Sequence, residues 1–220
     1  MVFTYCRATL SHTKPTGTFI LNIKERVVSG ERSTYVMELI LEMKKQGWFW
    51  TEEYIWHKKN CYPGKWPNRF RDAWERLLQF NKYKKFNMYQ EEVMVPMGDW
   101  AKTRLRNLSD IDKTRDESKV GGGFGKNISN WLDRDKAYPT TVLHLATECN
   151  NKNHSAAFSE ELPEWFIKLF TKEGDTVLDP FMGFYLGVPL HSATGRVIRC
   201  KSSLRYGLSA TFPHTMNNAA

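Results

Sequence analysis

The stretch Thr176-Val177-Leu178-Asp179-Pro180-Phe181-Met182-Gly183 has the residue types and order of a small-ligand loop. A short apolar run that ends in Asp-Pro and then Gly reads as a buried strand emptying into a loop, the usual ligand position of an open α/β sheet. A small polar ligand is expected there. A second kind of chemistry is suggested by cations set beside rings. His57-Lys58-Lys59-Asn60 follows an aromatic run, Lys65 and Trp66 precede Arg69 and Arg71, and Asn81-Lys82-Tyr83-Lys84-Lys85-Phe86 alternates the two types. Such interleaving suits nucleic acid, because phosphates take the charge and bases take the ring faces. A solvated basic edge can carry the same pattern.

Other candidate chemistry is weaker. The run Val120-Gly121-Gly122-Gly123-Phe124-Gly125-Lys126 could cradle a phosphate, but no strand precedes it and no Gly-Lys-Ser/Thr follows. A recognition loop or a linker suits it better. Cys6, Cys61, Cys149 and Cys200 have no paired spacing, so neither a metal site nor a disulfide framework is expected, and a reducing cytoplasm is the simplest home.

These residues need a scaffold, and the chain contains the pieces of one. Thr18-Phe19-Ile20-Leu21-Asn22-Ile23 follows a Lys14-Pro15-Thr16-Gly17 turn and predicts a buried strand. From Ser33 to Gln46, Tyr35, Val36, Leu39, Ile40 and Met43 fall on one helical face, and Gly47 is placed to end that helix. Trp48 to Trp56 reads as a strand, so strand, helix and strand make a crossover unit. Cys61 to Asn68 reads as a loop. Arg76 to Phe80 predicts a strand, although its apolar run would also suit a helix. Thr140 to Leu145 predicts a short strand. Ser159 to Phe170 predicts a helix with acids in its first turn, followed by a Gly174 turn into the strand of the ligand loop.

At 220 residues with 41% hydrophobic content, the chain can bury one sizeable core and is not of a disordered class. Its 32 Lys plus Arg exceed its 24 Asp plus Glu, a formal charge of +8 that favours polyanionic partners. No run approaches the roughly 20 apolar residues of a membrane span.

Taken in order, several blocks resemble the DNA amino-methyltransferases of cytosine N4 or adenine N6 in their circularly permuted arrangement, target half first and cofactor half last. Lys14 to Ile23 is similar to that family's strand after the catalytic loop, and Ile55-Trp56-His57-Lys58-Lys59-Asn60 to its tryptophan-to-asparagine strand end. Arg69 to Lys82 resembles the block before its recognition region. Asn153 to Leu162 resembles its cofactor-binding helix start, and Val177 to Gly183 its cofactor loop. The resemblance implies an α/β, Rossmann-like S-adenosylmethionine-dependent fold with an inserted target-recognition region. The implied divisions are 1–97 for the target half, 98–139 for recognition, 140–200 for the cofactor half and 201–220 for an irregular tail.

By the same resemblance, His154, Ser155, Ala156, Phe158, Asp179, Pro180, Phe181 and Gly183 would bind S-adenosylmethionine. Asp179 would balance the cofactor's positive charge, and Gly183 would allow close backbone approach. Trp56, Asn60 and Trp66 would line a pocket for a base taken out of the duplex stack. Lys58, Lys59, Lys65, Arg69, Arg71, Lys82, Lys84 and Lys85 would grip phosphates of double-stranded DNA.

Two departures bear on activity. No Pro-Pro pair occurs in the chain, so the family's Asp/Ser/Asn-Pro-Pro-aromatic loop is not found, and Met1 to Lys14 is too short for the strand and helix that follow that loop. Beyond Gly183 the chain reads Phe184-Tyr185-Leu186-Gly187 where the family has Ser-Gly-Thr, and Lys201 stands near where a ribose-binding acid is expected. The expectation is therefore an incomplete enzyme, weak or inactive alone. The alternative is a non-catalytic DNA-binding remnant, or a subunit that needs a partner chain or homodimer.

Overall fold

In the computed structural model the described residues are 10–11, 13–61, 63–110, 134–148 and 158–178. In chain order they form β1 (Thr18–Ile23), β2 (Val27–Val28), β3 (Glu31–Arg32), α1 (Tyr35–Lys45), β4 (Phe49–Lys58), β5 (Lys65–Trp66), β6 (Arg69–Phe70) and β7 (Trp74–Asn81). A 3-10 turn (Gln90–Val93), β8 (Val95–Pro96), α2 (Asp99–Arg106), β9 (Lys136–Ala137), β10 (Val142–Leu145) and α3 (Glu161–Phe170) follow. The chain divides into two compact units, one of 1–89 with 141–220 and the other of 90–140.

The first unit is built on a four-stranded sheet of order β1-β7-β4-β10. β7 runs antiparallel to both β1 and β4, so those two are parallel to each other with β7 between them, and β10 pairs parallel to β4. The predicted crossover from β1 through α1 to β4 is therefore present, spanning one intervening strand. Its helix is amphipathic: Val36, Leu39, Ile40 and Met43 are buried against Trp48, Leu78 and Phe80, with Phe19, Leu21 and Ile23 of β1 packed alongside. The rings of Phe19, Trp48 and Phe80 lie 5.6 to 6.4 Å apart in a triangle of mutual contact. Gly47, at φ +102°, ends α1 in a Schellman motif. Its N–H donates to the Lys44 carbonyl and that of Trp48 to the Met43 carbonyl, which seats the Trp48 ring in the core.

The opposite face of the sheet meets α3. Tyr54 of β4, one residue out of phase with the α1-facing positions, makes edge contacts with Trp165 and Phe166 at 5.5 and 5.3 Å. Helices thus lie on both faces of a mixed sheet, an α/β Rossmann-like arrangement. Because β7 is central and covered on both sides, Leu77, Leu78, Gln79, Phe80 and Asn81 are buried in succession.

The structure corrects two expectations. Cys61 to Asn68 is not wholly loop, because β5 and β6 pair as a small antiparallel hairpin in register Lys65 with Phe70 and Trp66 with Arg69. Thr176 to Leu178 does not form a strand of the sheet. Within that segment only Val177 makes a bridge, and Leu178 is exposed. The unit of 90–140 carries its own pairing of β8 with β9, with Val93 and Met97 buried and the Met97 N–H donating to the Asp135 carbonyl.

Candidate nucleic-acid interface and cofactor edge

The β5–β6 hairpin presents rings and cations to solvent. Trp66 is 54% exposed, Phe70 is 91% exposed, and Lys65 and Arg71 are exposed beside them. The Arg69 guanidinium lies over the Trp66 ring at 4.9 Å, which holds both groups in one orientation. The hairpin leads to Asp72, whose carboxylate is gripped by Arg32 at 2.5 Å and Lys24 at 3.3 Å. The Arg32 hydrogen bond holds the Asp72 carboxyl below its usual range, and the same contact raises the Arg32 guanidinium. This pairing fixes the chain where the hairpin rejoins the sheet at β7.

The three residues expected to surround a flipped base are not equivalent. Trp56 is only 3% exposed, its indole N–H donates to the Leu145 carbonyl at 3.1 Å, and the Lys58 ammonium covers its ring at 4.9 Å. It is a core residue here, closed to a base. Trp66 offers an open ring. Asn60 is exposed but engaged, joined by its side-chain amide to the backbone and hydroxyl of Thr147.

The expected phosphate contacts also divide. Lys58 is paired with Glu75 at 2.5 Å, with both side chains largely covered. Lys59, Lys84 and Lys85 are exposed, Lys82 is half-buried, and Tyr83 beside them is exposed. Sequence reasoning did not single out His57 and His144, which are register partners on β4 and β10 with Nδ1 atoms 3.0 Å apart and rings 5.0 Å apart. No motif marks them, since only the β4–β10 pairing brings them together. Among the described residues no group of three or more His, Cys, Asp or Glu side chains is gathered to hold a metal ion. No described helix is long and apolar enough to cross a membrane.

Below these groups the sheet is fastened by a buried polar network. Asn81 accepts from the Thr51 hydroxyl at 2.6 Å and the Gln79 amide at 2.9 Å, and donates to the Thr18 hydroxyl and the Gly17 carbonyl. Tyr54 donates to Gln79 at 3.1 Å, and burial pushes its phenol well above the usual value, so it stays a neutral donor. A second cluster joins Arg76 to Glu25 and Glu53, with the Trp74 ring beneath the guanidinium.

Of the residues that the resemblance assigns to S-adenosylmethionine, His154, Ser155, Ala156, Asp179, Pro180, Phe181 and Gly183 lie outside the described residues. Phe158 is described, half-buried and bridged to Thr147. Thr147 lies two residues beyond the end of β10, and Asn60 two beyond the end of β4, at the carboxyl ends of two parallel strands. Open α/β sheets commonly take their ligands at such an edge.

Comparison with known proteins agrees with this geometry. A profile of the DNA methylase family matches residues 2–199. The Type II methyltransferase M.PvuII of Proteus hauseri is 27% identical over 77% of this chain and 56% of its own length. M.Cfr9I of Citrobacter freundii is 28% identical over 66% of this chain and 37% of its own. The chain thus spans about half, or less, of the length of these relatives. Among solved structures, the PvuII DNA methyltransferase (cytosine-N4-specific) matches with a TM-score of 0.63 at 19% identity, covering 90% of this chain and 64% of that one. An M1.HpyAVI–SAM complex matches with a TM-score of 0.53 at 15% identity, covering 90% and 74%. With a family profile running through nearly all of its length and a fold shared with solved methyltransferases, the chain belongs to the DNA methylase family.

Proposed function

We propose that this chain carries the target side, recognition region and cofactor edge of a cytoplasmic DNA amino-methyltransferase. The reaction would move a methyl group from S-adenosylmethionine to the exocyclic amine of a base in double-stranded DNA. Cytosine N4 is favoured over adenine N6, because the solved PvuII enzyme is specific for cytosine N4. The observation that carries the reading is the match of the family profile through residues 2–199.

The cofactor, when bound, supplies an electrophilic methyl group on a sulfonium. The chain's own residues supply binding and position. Trp66, steadied by Arg69, offers a face on which a displaced base can stack, a contact worth about 1–3 kcal/mol. Lys59, Lys65, Arg69, Arg71, Lys82, Lys84 and Lys85 supply charge for the phosphates, which position the duplex without reading it. Asn60 ties the end of β4 to Thr147, beyond β10. Asp179, Pro180, Phe181 and Gly183, with His154, Ser155 and Ala156, complete the cofactor set by family pattern.

Because Phe184-Tyr185-Leu186-Gly187 stands where the family has small Ser-Gly-Thr beside the cofactor, transfer by the chain alone is expected to be slow. Two measurements on the purified chain test this. Calorimetry should show S-adenosylmethionine binding, and plasmid DNA incubated with labelled cofactor should gain methyl groups only slowly. An ordinary rate would overturn the proposed weakness. Salt-sensitive duplex binding with no cofactor binding would instead make the chain a DNA-binding subunit.

A further inference from the structure

The helix α2 is eight residues long and buries none of them. Helices of globular proteins usually turn an apolar stripe to a core, so one with no buried side chain is held mainly by its flanks. Here the flank is β8, which ends two residues before α2 and is pinned to β9. Trp100, Thr103 and Arg104 of α2 and Asn107, its C-cap, stand at spacings of three and four and are all exposed, whereas Ala101, Lys102 and Leu105 are half-buried. The exposed stripe therefore faces solvent as one surface. Trp100 is 74% exposed, and the Arg104 guanidinium lies 5.6 Å from its ring centroid.

The chemistry of that stripe is specific. Arg pairs bidentately with the O6 and N7 of guanine, Asn with the N6 and N7 of adenine, and Thr serves either a polar edge or a thymine methyl. Lys102, Arg104 and Arg106 stand against one acid, Asp99, so the helix is cationic and suited to a polyanion. An α-helix is about 10–12 Å across with its side chains, close to the roughly 12 Å width of the major groove of B-DNA. A protein partner would be expected to meet a more apolar centre with fewer charges.

We infer that α2 is the element that reads the DNA target sequence, lying in the major groove with Thr103, Arg104 and Asn107 toward the base edges. Trp100 holds the Arg104 guanidinium in plane so that its paired N–H groups are presented together. The inference deepens the proposed function and rests on its DNA reading. It separates α2 from the cations at 82–85 and on the β5–β6 hairpin, which grip backbone without regard to sequence.

The test uses the full chain and a duplex library randomised over about 20 base pairs, about two helical turns. Retained duplexes are sequenced after several rounds, and affinity for a fixed duplex of unrelated sequence is measured in parallel. The unmodified chain should enrich a motif. R104A and N107A should each relax that motif at one or two positions by about 5- to 150-fold, while binding to the unrelated duplex weakens far less. Since α2 buries nothing, these variants should keep the circular dichroism spectrum of the parent, and T103A provides a third, milder substitution. Recovery of an unchanged motif by R104A and N107A would overturn the inference, as would duplex binding that enriches no motif. Failure of the unmodified chain to bind any duplex at low salt would remove the DNA reading itself. Calorimetry with S-adenosylmethionine would then show whether the cofactor half of that reading survives.

Discussion

Asn60 holds Thr147 by three hydrogen bonds: its Oδ1 accepts from the Thr147 N–H at 2.7 Å and hydroxyl at 2.9 Å, and its Nδ2 donates to the Thr147 carbonyl at 3.3 Å. A side-chain amide here does what a neighbouring strand would do, extending the β4–β10 pairing beyond its last residues. Thr147 is in turn bridged to Phe158. Replacing Asn60 with Ala should therefore release Thr147 from the end of β4, with a loss of about 1–2 kcal/mol in urea unfolding. Asn60→Asp keeps the acceptor for the N–H and hydroxyl and should lose less. Equal stability of the Ala variant and the parent would show that the three bonds contribute nothing net.

Asn81 is 0% exposed in the central strand and uses both ends of its amide. Truncation to Ala leaves the buried Gln79 amide without this acceptor and takes a partner from the half-buried Thr51 hydroxyl, Thr18 hydroxyl and Gly17 carbonyl. The expected loss is about 2–4 kcal/mol, among the larger single-site effects, because unmet buried groups cost more than a made bond contributes. Chemical denaturation of N81A measures it, and a change under about 0.5 kcal/mol, the size of an ordinary surface substitution, would mean that the network relaxes around the gap.

How much of this was legible in the sequence follows from what each signal measures. The helix α1 was readable because one face is buried and the other is wet, so Val36, Leu39, Ile40 and Met43 recur at helical spacing. β7 was less readable for the opposite reason. It is covered on both faces, so buried residues run on without alternation and periodicity alone did not separate strand from helix. The β5–β6 hairpin was missed because each strand has two residues, too few for any period. Trp56 was expected to face a base, but which face of β4 it occupies depends on register, and a one-residue shift exchanges the two faces. α2 was hidden by its charges: with no buried side chain it carries no apolar stripe to find. The cofactor loop was legible only as a family pattern, and its residues beyond Leu178 are not among those described.

Asp72 makes stability depend on pH. The Arg32 hydrogen bond, supported by Lys24, lowers its folded-state value below that of the unfolded chain. A carboxylate so shifted stabilises the fold above its unfolded value of about 3.9, and that contribution fades as pH falls below this point toward the folded value. Asp72→Asn removes the charge at every pH. Urea midpoints of the parent and D72N should therefore differ most near neutral pH and converge as the solution is taken to about pH 3. A gap that stays constant across that window would mean that the ion pair does not contribute in solution.

Lys58 and the Lys84–Lys85 pair should behave differently toward DNA although all three were expected to meet phosphates. Each cation that neutralises a phosphate releases counterions, so removing it lowers the slope of log affinity against log salt by about 0.9 for a duplex. Lys84 and Lys85 are exposed and have no ion pair among the described residues, so K84A and K85A should each approach that full reduction. Lys58 already neutralises Glu75 at 2.5 Å and lies across the Trp56 ring, and both carboxylate and ammonium are largely covered. To reach a phosphate it would have to leave Glu75 uncompensated, which offsets the gain. K58A is therefore expected to leave the salt slope nearly unchanged and to lower folding stability instead, because Glu75 loses its partner. Filter-binding titrations over a range of salt, run beside urea unfolding of the same variants, separate the two roles. A slope for K58A that drops as far as that of K84A would place Lys58 on the DNA and break its assignment to the β4–β7 pairing.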